Sequence, residues 1–161
     1  MPAHDPQLTA DIALGRKLGK LARVYFLVLG LLGIAGCVVN LFFSRGFHLD
    51  LSFLIYLLIA AGLREFRNGC RILAILLCAG YLTAGLVLVE LALIRGTGGM
   101  TLAAWGREYE DPRLWVYLLV LGVALLIFAV PFGVLLHPAV RRVFRAITKF
   151  RKLKLERVQW D

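Results

Sequence analysis

Residues 72–94 read ILAILLCAGYLTAGLVLVELALI, an apolar run interrupted by a single carboxylate, Glu90. A helix of about 20 apolar residues crosses the roughly 30 Å hydrocarbon layer of a bilayer, and this run is long enough to do so alone. Three further runs lie on either side of it, giving expected spans at 24–43, 49–66, 72–94 and 114–137. The second is the shortest. Asp111 and Pro112 stand before the fourth as an N-cap and first-turn pair. The expected fold class is all-α: a polytopic membrane protein built as a four-transmembrane-helix bundle (24–137), with an N-terminal segment (1–23) before it and a basic amphipathic C-terminal helix and tail (138–161) after it.

Composition agrees. Of the 161 residues 60% are apolar, against roughly 45–50% in soluble domains, and the mean hydropathy is +0.80. The net charge of +9 would suggest nucleic acid in a soluble protein. Here the basic residues flank apolar blocks without any nucleic-acid-binding motif, so the expected partners are anionic lipid headgroups and no nucleic acid.

Lys and Arg in the flanks set the orientation. Arg16, Lys17, Lys20 and Arg23 precede the first span, and Arg64, Arg67 and Arg71 lie between the second and third. Arg141, Arg142, Arg145, Lys149, Arg151, Lys152, Lys154 and Arg157 follow the fourth. The opposite side has only Arg45, Arg95, Arg107 and Arg113. This alternation puts both termini in the cytoplasm of a multi-pass protein of the cell membrane, of bacterial inner-membrane type.

From Pro138 the pattern changes. Val140, Val143, Phe144 and Ile147 share one helical face, and Arg141, Arg142, Arg145, Lys149 and Lys152 share the other. Such a helix is expected to lie in the cytoplasmic interface, its basic face on anionic lipid. Leu14, Leu18 and Leu21 mark a weaker copy, a short surface helix leading into the first span. The external segment 96–113 opens with the flexible Gly96-Thr97-Gly98-Gly99. It continues with Met100, Leu102, Trp105 and Tyr109, which with Trp115 and Tyr117 form an expected aromatic belt.

Polar groups in hydrocarbon need a partner or a purpose. Glu90 lies about 7.5 Å of helix inside Arg95. Gly80-x-x-x-Ala84, with Thr83 beside it, is a small-x-x-x-small pattern that admits a second helix. Asn40, Arg45, His48 and Asp50 belong to the same outer depth, so with Glu90 and Arg95 they form an expected outer-leaflet polar cluster. Ion pairing would make that cluster structural; a titrating Glu90 would make it a proton- or cation-coupled site. The carboxylate of small four-span multidrug exporters sits in their first span, which has no acid here.

Other chemistry finds no frame. Cys37, Cys70 and Cys78 form no C-x-x-C and read as packing residues. Ile34-Ala35-Gly36-Cys37 resembles a lipidation box, but the apolar run continues past it, so Cys37 is a mid-helix residue. His48 and His137 lie at opposite depths, which disfavours a bis-histidine haem. Pro131 removes one backbone hydrogen bond and is expected to kink the fourth span. Neither catalytic residues nor a cofactor nor a metal is expected. The expected role is a non-enzymatic accessory or scaffolding subunit that packs with other membrane proteins or with itself as a homo-oligomer. The alternative is a small proton- or cation-coupled transporter assembled around Glu90.

Overall fold

The computed structural model describes residues 6–43, 52–98, 101–104, 107–110 and 112–158. Five helices and one hairpin follow in order: α1 (Pro6–Phe43), α2 (Ser52–Arg64), α3 (Asn68–Arg95), β1 (Thr101–Ala104), β2 (Arg107–Glu110), α4 (Leu114–Leu136) and α5 (Pro138–Val158). Among the described residues three stretches are long and apolar enough to cross a membrane: Ala10–Val39 within α1, all of α3, and all of α4. This is a helical membrane protein. α2 is apolar but has 13 residues, about 20 Å of helix.

The first departure from expectation is α1. Its 38 residues make one continuous helix of about 57 Å, nearly twice the hydrocarbon thickness. The short surface helix expected at the N-terminus is therefore the first part of this one helix, continuous with the apolar stretch. Arg, Lys, Leu and Ala carry helical propensity through the junction, and nothing there breaks it.

Two α-helical pairs, α1 with α2 and α3 with α4, make the most extensive contacts; α2 meets α3, and α1 meets α4. α5 folds back across one end against α1, α4 and α3. At that basic end the core gathers: Ala22 and Phe26 of α1, Ile59, Ala60 and Leu63 of α2, Ala74 and Cys78 of α3, Leu135 of α4, and Val140 and Phe144 of α5. Towards the hairpin end the helices present Leu31, Leu32, Leu54, Leu86, Leu93, Ile94, Leu119 and Val120 outward. Such a surface suits lipid rather than water.

The α2–α3 turn shows why the second apolar helix ends at Arg64 and not at the expected residue 66. The Phe66 N–H donates to the Leu63 carbonyl and the Arg67 N–H to the Gly62 carbonyl. This is the hydrogen-bond pair of a Schellman stop, which needs a left-handed residue before its last donor. Phe66 supplies it at φ 52°, a conformation that is strained without glycine. Packing holds the ring there. It meets Phe144 edge-on at 5.2 Å between centroids and faces Gly19 of α1.

The apolar face expected on α5 is turned inward: Ala139, Val140, Val143 and Phe144 are buried against α1 and its neighbours. The contact is close because Gly15 and Gly19 of α1 have no side chain. A Cβ at Gly15 would collide with the Ala139 carbonyl and lie 2.7 Å from Val143 Cγ2. Arg142 of α5 pairs with Asp11 of α1 across the same seam, so its charge is engaged within the protein.

Two smaller corrections concern the hairpin end. Segment 96–113 contains β1 and β2, paired antiparallel with Ala104 opposite Arg107 and Thr101 opposite Glu110. Four-residue strands are too short to declare a period in sequence. α4 begins after Arg113, which makes no side-chain cap; Asp111 lies outside the described residues. Of the expected belt, Tyr117 is buried and Trp115 exposed; Met100 and Trp105 lie outside the described residues, as do the side chains of Leu102 and Tyr109.

Candidate functional site

Polar atoms inside an apolar bundle are satisfied by other helices, and three such pairings organise this one. The first is at Pro131, which lies inside α4 and has no N–H for the carbonyl four residues earlier, that of Ile127. The Tyr25 hydroxyl of α1 donates to that carbonyl. A neighbouring helix thus supplies the hydrogen bond the proline removes, which is how membrane helices tolerate proline. The second is Tyr56 of α2 donating to the Tyr81 hydroxyl of α3 at 3.2 Å. The Tyr81 ring stacks on Phe128 of α4, 4.3 Å between centroids and 9° from parallel.

The third lies at the basic end. Arg71, in the first turn of α3, is only 7% exposed. Its Nη1 donates to the Leu135 carbonyl at 3.2 Å and its Nε to Asn68 Oδ1 at 3.3 Å. Leu135 is in the last turn of α4, where carbonyls lose their intrahelical donors and cations are favoured by the helix dipole. The donor that a continuing helix would bring to Leu135, the Ala139 N–H, turns instead to His137 Nδ1 at 3.3 Å. His137 is extended, as a residue before proline is, and caps α5, which starts at Pro138. One histidine ends α4 and starts α5.

The outer polar cluster is described in part. Arg45, His48 and Asp50 lie outside the described residues, as do the side chains of Asn40 and Lys152. Glu90 and Arg95 are both exposed on α3, and among the described residues no ion pair joins them. Five residues of α-helix separate them by about 140° around the axis, so they face different directions. Gly80, Thr83 and Ala84 are exposed as well. No atom lies within 4 Å of where a Cβ would stand at Gly80, and the Thr83 hydroxyl donates to its own helix at Ala79.

The glycines that bring helices together are others: Gly15 against α5, Gly30 and Gly33 against Leu57 and Phe53 of α2, and Gly85 against Leu125 of α4. Gly15-x-x-x-Gly19 is the same small-residue spacing as Gly80-x-x-x-Ala84, and it was the signal for the α1–α5 seam. Of the basic residues expected at lipid, Arg141, Arg142, Arg145 and Lys149 are exposed.

Comparison with family models, curated proteins and solved structures finds no match. Function is therefore read from these surfaces.

One surface is organised. Leu76, Gly80, Thr83, Val87, Glu90 and Ile94 follow spacings of four and three along α3, and every one is exposed. Alternating four and three is the repeat of a helix seam that packs against another helix. The stripe is opposite in character to the side of α3 that carries buried Ala74, Cys78, Gly85 and Ala92.

Proposed function

We propose that this chain is a four-span membrane protein, with both termini cytoplasmic, that serves as a non-enzymatic accessory or scaffolding subunit. It docks a partner's transmembrane helix on the outward stripe of α3. The observation that carries the docking reading is that stripe: a seam-like repeat, small at Gly80, that holds Glu90 exposed on the same line. A carboxylate facing hydrocarbon is unfavourable by a few kcal/mol. A partner helix with a hydrogen-bond donor or cation at that depth removes the penalty and is selected by it.

The even number of crossings rests on the basic end. The first turns of α1 and of α5 meet through Gly15 and the Asp11–Arg142 pair, which supports a reading with both on one side of the membrane. Three crossings would separate them. α2, though short, then serves as the fourth span, and the excess of Lys and Arg at this end favours the cytoplasmic side.

Mild-detergent purification followed by native mass spectrometry tests the role. A stoichiometric complex with a second membrane protein, dissociated by Val87→Trp on the stripe, is the expected result. A monomer under all conditions refutes it. The second reading, a proton- or cation-coupled transporter assembled as a homo-oligomer, is favoured by Glu90 having no ion pair among the described residues. It requires a clean homo-oligomer and pH-dependent flux in proteoliposomes that Glu90→Gln abolishes without loss of stability.

A further inference from the structure

We propose that Arg71, Arg141 and Arg145 form a binding site for a phosphate group, presented by an anionic phospholipid where α4 ends and α5 begins. Arg71 is anchored, its guanidinium tied to Leu135 of α4 and to Asn68 and almost fully enclosed. Arg141 and Arg145 stand one turn apart on the exposed side of α5, in the first turns after α4 ends, and α5 packs against both α3 and α4. No carboxylate pairs with any of the three among the described residues, whereas the neighbouring Arg142 and Arg67 each have one, Asp11 and Glu65.

Like charges one helical turn apart repel, and a buried guanidinium adds to that repulsion. An anion with several acceptor oxygens reverses the balance. Guanidinium groups match phosphate geometry through two parallel N–H donors, which a lysine cluster does not offer. The position favours a lipid source: the apolar stretch of α4 stops at Leu136, so the three arginines lie at the depth of the headgroups.

The site is distinct from the α3 stripe and stands whether or not that stripe docks a partner. It also differs from a diffuse basic tail, and the test uses that difference. The full-length protein in neutral detergent is titrated with phosphatidylglycerol, with phosphatidylcholine and with inorganic phosphate, following thermal stability and the lipid retained in native mass spectrometry. Saturable binding of phosphatidylglycerol is expected, with phosphatidylcholine weaker. Removing two charges by the pair Arg141→Gln and Arg145→Gln should weaken it about thirtyfold, at roughly a factor of five for each residue. Both side chains are exposed, so folding is retained.

The control pair Arg142→Gln and Lys149→Gln removes the same charge from the same helix and should weaken binding less than threefold. Arg141→Lys with Arg145→Lys keeps charge but not geometry and should fall between. Saturable stabilisation by inorganic phosphate, lost in the Arg141 and Arg145 pair, would keep the site and assign it to a soluble phosphate. Equal loss in the control pair, or no saturable binding of either probe, overturns the proposal.

Discussion

Replacing Gly15 by alanine should unseat α5, although the same substitution usually stabilises a helix. Within a helix interior Gly→Ala gains about 1 kcal/mol of propensity. At Gly15 the new methyl would meet the Ala139 carbonyl, with Ala139 C at 2.8 Å and Val143 Cγ2 at 2.7 Å. Backbone cannot yield as a flexible side chain does, so the overpacking penalty falls at the upper part of the usual range, about 3 kcal/mol. The net change is then about 2 kcal/mol of destabilisation. Gly36 is the internal control: it lies on the same helix, is exposed, and has no atom within 4 Å of where the alanine methyl would stand. There alanine should stabilise by about 1 kcal/mol.

The two variants therefore separate by about 3 kcal/mol, or about 6–12 °C in unfolding midpoint for a chain of this size. Thermal unfolding in detergent measures the separation. A short bis-thiol cross-linker between cysteines introduced at Asp11 and Arg142, in a background lacking the native cysteines, reports the seam directly. Cross-linking should drop with Gly15→Ala and persist with Gly36→Ala. A Gly15→Ala midpoint at or above that of Gly36→Ala, with cross-linking intact, would refute the close approach of α1 and α5.

Three further outcomes follow from the same contacts. Tyr25→Phe leaves the Ile127 carbonyl without its donor and should destabilise by about 1 kcal/mol; in a Pro131→Ala background the backbone N–H returns, and a double-mutant cycle should show the tyrosine effect largely gone. Phe66→Gly relieves left-handed strain of about 1 kcal/mol but removes a half-buried ring worth about 2 kcal/mol on Phe144 and Gly19, so denaturant midpoints should show net destabilisation of about 1 kcal/mol. A periplasm-dependent reporter fused after Asp161 should be silent and one inserted at Gly98 active; the reverse would refute an even number of crossings with cytoplasmic termini.

What the sequence determined by itself was solvent and the long apolar helices. Hydrocarbon demands about 20 apolar residues per crossing, and that demand is legible in α1, α3 and α4 without any tertiary information. The charge flanks are legible for the same reason, since each acts on the membrane locally. Ends and partners were decided in three dimensions. Lipid and protein offer an apolar face the same chemistry, so the face read on α5 does not say whether α1 or lipid covers it. Phe66 takes a glycine's conformation because Phe144 and Gly19, distant in sequence, hold its ring. Pro131 reads as a lost hydrogen bond until Tyr25 arrives from another helix to replace it. Arg71 reads as one more flanking charge, and only the approach of the other helices encloses it with its guanidinium on the Leu135 carbonyl. Depth in the membrane is a sum over neighbouring residues in the chain, whereas close approach depends on particular atoms brought together from its far ends.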